Sequence, residues 1–130
     1  MAVRVRWFND AQTIIVYEFE GNWTWDEFYP EYQRVLDMTR DIPHRIDVLL
    51  DMRRAGRMPL NILTHVRNIS DKQTSNAGLS VIVTNSQFIR AMYQAGCKFY
   101  GGIQHYFGVA NSIEEALALF EAARQAQPTQ

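Results

Sequence analysis

Cysteine is nearly absent. Cys97 is the only one in 130 residues, so no intrachain disulfide can form and a stapled extracellular framework is excluded. A reducing cytoplasm is the expected compartment. Long apolar runs are missing too: no window suits a bilayer span, and Met1 to Asp10 alternates charge with bulk where a signal peptide would be continuously apolar. Membrane insertion and secretion are not expected. Neither charge dominates, since 13 Lys and Arg stand against 14 Asp and Glu, and no long basic block offers nucleic acid a footprint. Catalytic signatures are lacking as well. There is no nucleophile elbow, Walker loop or dinucleotide fingerprint. His44, His65 and His105 fall in separate segments without metal-ligand spacing, and Cys97 has no neighbouring base or cation beyond Lys98. The expectation is a protein that binds rather than catalyses, with no metal and no cofactor.

What the chain does have is apolar mass, 47% of residues with 12% aromatic, enough for one packed core. A single domain over 1–124 is expected, followed by a frayed tail over 125–130. Val3, Val5 and Trp7 alternate with Arg4, Arg6 and Phe8 as in a half-buried edge strand. Residues 13–20 are β-branched and aromatic and pair with it as an antiparallel hairpin ending at Gly21. Thr24 and Glu27 form a capping box, and Trp23 with Phe28 a hydrophobic staple, so a helix begins near Trp25 and ends before Pro43, with Pro30 able to bend it. A strand over 45–52 leads into the loop Arg53-Arg54-Ala55-Gly56-Arg57. A helix follows with Pro59 as its first residue and Ile62, Leu63, Val66 and Ile69 on its apolar stripe. After a turn at 75–78 come a strand over 79–84, a helix through Phe88 and Met92, a strand over 105–110, and a helix opened by Ser112 and Glu115. The order ββαβαβαβα implies an α/β fold with a mainly parallel five-stranded sheet and one antiparallel edge strand.

That order resembles the STAS fold, the SpoIIAA-like family that includes the sporulation anti-anti-sigma factor and the cytoplasmic domains of sulfate transporters. The matching stretches are Phe19-Glu20-Gly21, Trp23-Thr24-Trp25, Val48-Leu49-Leu50-Asp51-Met52 and Ser112-Ile113-Glu114-Glu115-Ala116-Leu117. The resemblance implies a regulatory module that binds a protein partner. Family members that switch by phosphorylation carry Asp-Ser-(Ser/Thr)-Gly at the helix after the third strand. Here that region reads Arg57-Met58-Pro59-Leu60, without a hydroxyl, so Asp51 matches the strand-end acid but the phosphoacceptor does not carry over. The chain looks more similar to a group of small bacterial STAS-like proteins that resemble lipid-carrying CRAL-TRIO domains in shape.

Two sets of residues stand out as candidate sites. Arg53, Arg54 and Arg57 follow a strand and lead into a helix, and guanidinium groups with free helix N–H donors suit a phosphate, sulfate or carboxylate. The competing reading pairs them with Asp47 or Asp51. Thr84, Asn85, Asn111 and Ser112 end the neighbouring strands and are placed on the same rim, with capping as their alternative role. Trp25 and Tyr29 share one helical side and are candidates for a partner interface, including a homodimer, with core packing as the alternative. The acids Asp10, Glu18, Glu20, Asp26, Glu27, Glu31, Asp37 and Asp41, against Arg34 and Arg40, give the first third a polarity that can orient a partner. A non-catalytic interaction module is the leading expectation. A carrier of a small anionic or lipid ligand, with its pocket near residues 53–57, is the alternative.

Overall fold

A computed structural model describes residues 2–71, 75–99 and 101–126. The strands are β1 (Val3–Trp7), β2 (Ile14–Gly21), β3 (Ile46–Ala55), β4 (Ala77–Val83) and β5 (Phe107–Ala110). The helices are α1 (Trp25–Thr39), α2 (Ile62–Asp71), α3 (Gln87–Phe99) and α4 (Ile113–Ala126), with one 3-10 turn at Ile103–His105. The strands lie in the order β1-β2-β3-β4-β5, with β1 antiparallel to β2 and all other neighbours parallel. The expected sheet is therefore the observed one.

This order decides where the helices go. A sheet that advances one strand at a time through right-handed crossovers puts every connecting helix on the same face. So α1, α2 and α3 share one side, and α4, which connects to no further strand, is left for the other. Alternation along the strands feeds the two layers separately. Ile15, Tyr17, Phe19, Ile46 and Met52 pack with Phe28 and Val35 of α1 and Ile89 of α3. Ile14, Val16, Leu49, Val81 and Val83 pack with Ala116 and Phe120 of α4.

Several boundaries differ from the sequence reading. β3 continues to Ala55, so Arg53 and Arg54 lie in a strand and not in a loop. Its last residues stay paired because the β2 edge extends equally far, with Glu20 opposite Arg54 and Gly21 opposite Ala55. Pro59 is not the first residue of α2, which starts at Ile62 after Asn61 adopts φ 64. Gly78 is inside β4, and His105 closes the 3-10 turn instead of opening β5. Pro30 is accommodated within the first turns of an unbroken α1. Gln125 and Ala126, expected to fray, end α4, and 127–130 of the expected tail lie outside the described residues. Among the described residues, no helix is long and apolar enough to cross a membrane.

The amino ends of the strands are tied by one carboxylate. Asp47 is fully buried; its Oδ1 accepts from Arg45 Nε at 2.9 Å and from the Leu79 backbone N–H at 2.8 Å. Its Oδ2 accepts from Arg124 Nε at 2.9 Å, and Arg124 also reaches Thr13 O. The closeness explains Gly78: a Cβ there would collide with Asp47 Oδ1 and Arg45 Nε.

Candidate functional site

Open α/β sheets commonly bind ligands where the strand order reverses. Here the order never reverses, so the fold supplies no such crevice. The space lies instead between the sheet and its three-helix layer. None of the α2 residues whose burial is described is fully buried; Ile62, Leu63, Val66 and Ile69 are half-covered and face the sheet across a cavity of about 130 Å³. Tyr17, Phe19, Trp23 and Phe28 form its aromatic wall, and Leu50, Met52, Ile82, Ile89 and Met92 its aliphatic one. Small residues leave the volume open. Ser80 sits on β4 between Val48 and Phe107 of the adjacent strands, and Gly96 faces the cavity from α3. Burial, followed by the nearby Tyr32 and Glu31, pushes the Tyr17 hydroxyl far above its ordinary pKa.

At the carboxyl ends of β3 and β4 lies an open groove of about 340 Å³, lined by Arg53, Arg57, Thr84, Asn85, Ser86 and Phe88 among others. Met52, Met58 and Ile89 line both the groove and the apolar cavity. These three side chains border both the basic groove and the apolar space.

The structure thus gathers four of the seven rim residues named from sequence. Arg53 lies on the groove but is engaged: its Nε and Nη2 donate to Asp51 Oδ1 and Oδ2, each at 2.9 Å. This two-pronged bond, helped by Arg53's backbone N–H, holds the Asp51 carboxyl below the usual range. A depressed carboxylate adds stability that is complete above its unfolded pKa and lost as pH falls through the folded one, so the pair persists at neutral pH. Arg57 is placed differently. Its backbone N–H donates to Asn22 Oδ1 at 2.6 Å, fixing the loop, while its guanidinium makes no hydrogen bond or ion pair among the described residues.

Thr84 is buried on the groove floor, its Oγ1 accepting from Ser86 N at 3.0 Å, and Asn85 is exposed beside it. Arg54, Asn111 and Ser112 do not line the groove. Ser112 Oγ caps α4 through Glu115 N at 3.1 Å, and Asn111 Oδ1 accepts from Arg90 of α3. The capping alternative describes Ser112, and Asn111 serves as a brace between α3 and the start of α4.

Trp25 and Tyr29 meet α2 of their own chain. The Trp25 indole N–H donates to Leu60 O at 2.8 Å, next to the left-handed Asn61, and its ring stacks on His65 at 4.0 Å. The Tyr29 hydroxyl is hydrogen-bonded to His65 Nδ1. Both aromatics are half-buried and clasp α2 over the cavity, the contact that the packing alternative describes. Tyr29→Phe is expected to lower stability by about 1 kcal/mol in urea unfolding, the net worth of one such hydrogen bond. A change below the measurement error would mean that the clasp rests on stacking alone.

The other polar candidates are scattered. His44 Nε2 contacts Gln12 O at 2.9 Å, at the opposite end of the sheet. The Tyr93 hydroxyl, pushed up to about 12 first by burial and then by its contact with Cys97, donates to Phe107 O at 2.8 Å. Among the described residues, no three His, Cys, Asp or Glu side chains gather as a metal site would require.

A five-stranded sheet in sequential order, one antiparallel edge, three helices on one face and a terminal helix on the other define a SpoIIAA-like α/β fold. The solved structure of an uncharacterized protein from the DUF3478 family with a SpoIIAA-like fold, from Shewanella loihica PV-4, matches it with a TM-score of 0.64. The match covers 92% of each chain at 12% sequence identity, so the likeness is one of fold. No protein-family model and no curated protein matches the sequence.

Proposed function

We propose that the protein is a non-catalytic carrier of small amphipathic anions. The anionic group rests in the arginine groove and the apolar body enters the cavity beneath α2. One observation carries this reading: Met52, Met58 and Ile89 belong to both spaces. A molecule crossing that threshold meets a cation on one side and an apolar interior on the other, the usual composition of a small-ligand site. Methionine side chains adapt their shape at little cost, which suits a boundary that must admit a guest. Arg57 is the cation best placed to respond, because Asp51 already occupies Arg53. The start of α3 opens on the same groove through Ser86 and Phe88, and its dipole favours an anion there. The cytoplasm, where a lone thiol such as Cys97 stays reduced, is the compartment that suits such a carrier.

Calorimetric titration of the intact protein with sodium decanoate tests the reading. Binding is expected, weakening with added salt, and Arg57→Ala is expected to reduce affinity about tenfold or more, as for loss of a charge-assisted hydrogen bond. Absence of heat together with absence of a co-migrating ligand in native mass spectrometry would overturn it, as would affinity indifferent to Arg57.

A second reading, an interaction module for a protein partner or a second copy of the chain, draws on exposed apolar side chains. Leu60 and Phe88 are 84% and 62% exposed, and Phe88 lies on the groove. Large exposed apolar groups of this kind serve as interface anchors. Light scattering over a wide concentration range decides the homodimer: a mass that stays monomeric removes it.

A further inference from the structure

The three helices on one face of the sheet are not held alike. α1 buries Phe28 and Val35 and α3 buries Ile89, whereas no α2 residue whose burial is described is fully buried. The apolar stripe of α2, formed by Ile62, Leu63, Val66 and Ile69, lies against the cavity of about 130 Å³. A helix set over empty space forgoes the dispersion contacts that a filled core supplies. What ties α2 to α1 is the clasp: the Trp25 indole N–H on Leu60 O, the Trp25 ring on His65, and the Tyr29 hydroxyl on His65 Nδ1.

The chain before and after the helix is anchored. On the near side, Gly56 N donates to Gly21 O at 2.8 Å and Arg57 N to Asn22 Oδ1 at 2.6 Å. On the far side, Asn76 Nδ2 donates to Ile42 O at 2.9 Å and to Thr39 O at 3.0 Å, fixing the entry to β4. Between the near anchor and α2 the turn is exposed, with Asn61 at φ 64, a backbone that few residues other than glycine adopt. Such element-terminal positions are where hinges absorb rotation.

Scant burial is the physical mark of a segment that opens well below the global unfolding free energy. We infer that α2 is a lid, which leaves the sheet about the turn at Leu60 and Asn61 while the strands and α1 stay in place. The Trp25 and Tyr29 clasp sets how often it opens. The motion follows from the packing of α2 alone. Its use, as the door by which a guest reaches the apolar space, rests on the carrier reading above.

Native-state hydrogen exchange of the intact protein in low concentrations of urea tests it. α2 has ten residues, and a helix that short does not keep its hydrogen bonds once released into water, so opening and exchange coincide. The amides of residues 66–69 are expected to exchange at least about a hundredfold faster than those of residues 48–50, and with little urea dependence, because a local opening exposes little surface. Tyr29→Phe is expected to speed the α2 amides about fivefold, as for loss of one hydrogen bond. A second readout needs no helix hydrogen bond to break: with Cys97→Ser removing the native thiol, Ser80→Cys on the cavity wall is expected to react with a thiol reagent faster when Tyr29→Phe is added. If α2 exchanges at the rate and urea dependence of β3, it opens only with the whole protein and the inference falls, while decanoate binding still decides the carrier reading. Fast exchange and thiol reactivity that both ignore Tyr29→Phe would overturn it as well, since the helix would then fray without releasing the clasp. If α2 opens as described and decanoate gives no heat and no slowing of its exchange, the lid stands and the carrier reading falls.

Discussion

Replacing Asp47 with alanine is expected to remove about 3–5 kcal/mol of stability, the range for breaking a buried charge pair from one side. The carboxylate is wholly buried and accepts from Arg45, Arg124 and the Leu79 backbone, so its loss strands donors from the residue before β3, from β4 and from α4 together. Arg124 is one-third exposed and can turn to water, but Arg45 is only 17% exposed and the Leu79 N–H is fixed by its strand. The exposed pairs offer a contrast. Arg4–Glu20, Arg6–Glu18 and Arg40–Asp37 are largely solvated on both sides, and each is expected to contribute less than about 1 kcal/mol. Typical domains are stable by about 5–15 kcal/mol, so Asp47→Ala is expected to leave a protein that folds at low temperature and melts early. Urea unfolding with an unchanged m-value measures it. A loss under about 1 kcal/mol would show that the donors find water, and that the knot is an ordinary surface pair.

Asp47 also shows what the sequence could and could not disclose. Its place in a central strand is readable from the pattern around it, but its partners are Arg45 and Arg124 and none of the arginines at 53–57 set against it from the sequence. That the second arginine comes from α4, 77 residues away, depends on the sheet closing first. The fold itself was legible because each connection is short and each element announces its period or its cap. The capping box at Thr24 and Glu27 forms as read, with Glu27 N donating to Thr24 Oγ1 and Thr24 N to Glu27 Oε1. Boundaries were lost where a neighbour extends an element, as β2 does for the end of β3.

The site was legible in halves. Charge at a strand end marks a groove, and of the seven residues set on one rim from the sequence the structure gathers Arg53, Arg57, Thr84 and Asn85. Arg53 has Asp51 two residues earlier on the same strand face, as the pairing alternative allowed, whereas Arg57 has no acid so near in the sequence. The cavity left fainter traces, namely Ser80 and Gly96 at core-facing positions of otherwise bulky elements, and methionines at positions 52 and 58. A void is a mismatch between facing surfaces, and no single segment carries it. Trp25 and Tyr29 left two readings open for a related reason. An aromatic pair on one helical side reads as an outward anchor until a second helix, here α2 with His65, is laid over it.

Ser80→Leu should move stability and binding in opposite directions, which separates a ligand cavity from a packing flaw. Ser80 lies on the cavity wall between Val48 and Phe107, and its hydroxyl has no hydrogen bond to lose among the described residues. A leucine there buries apolar surface in space already present, so stability is expected to rise by about 0.5–2 kcal/mol, as for other cavity-filling changes. The same side chain evicts the guest. Excluding about three methylenes at ~0.8 kcal/mol each would weaken decanoate binding about fiftyfold. Thermal unfolding and calorimetry on the same preparation read both signs at once. A binding loss with lowered stability would point to overpacking, in which strain at β4 disturbs the site indirectly. Unchanged affinity in a stabilised protein would be decisive the other way: the guest would then sit wholly in the groove at Arg57, and the space under α2 would have no part in holding it.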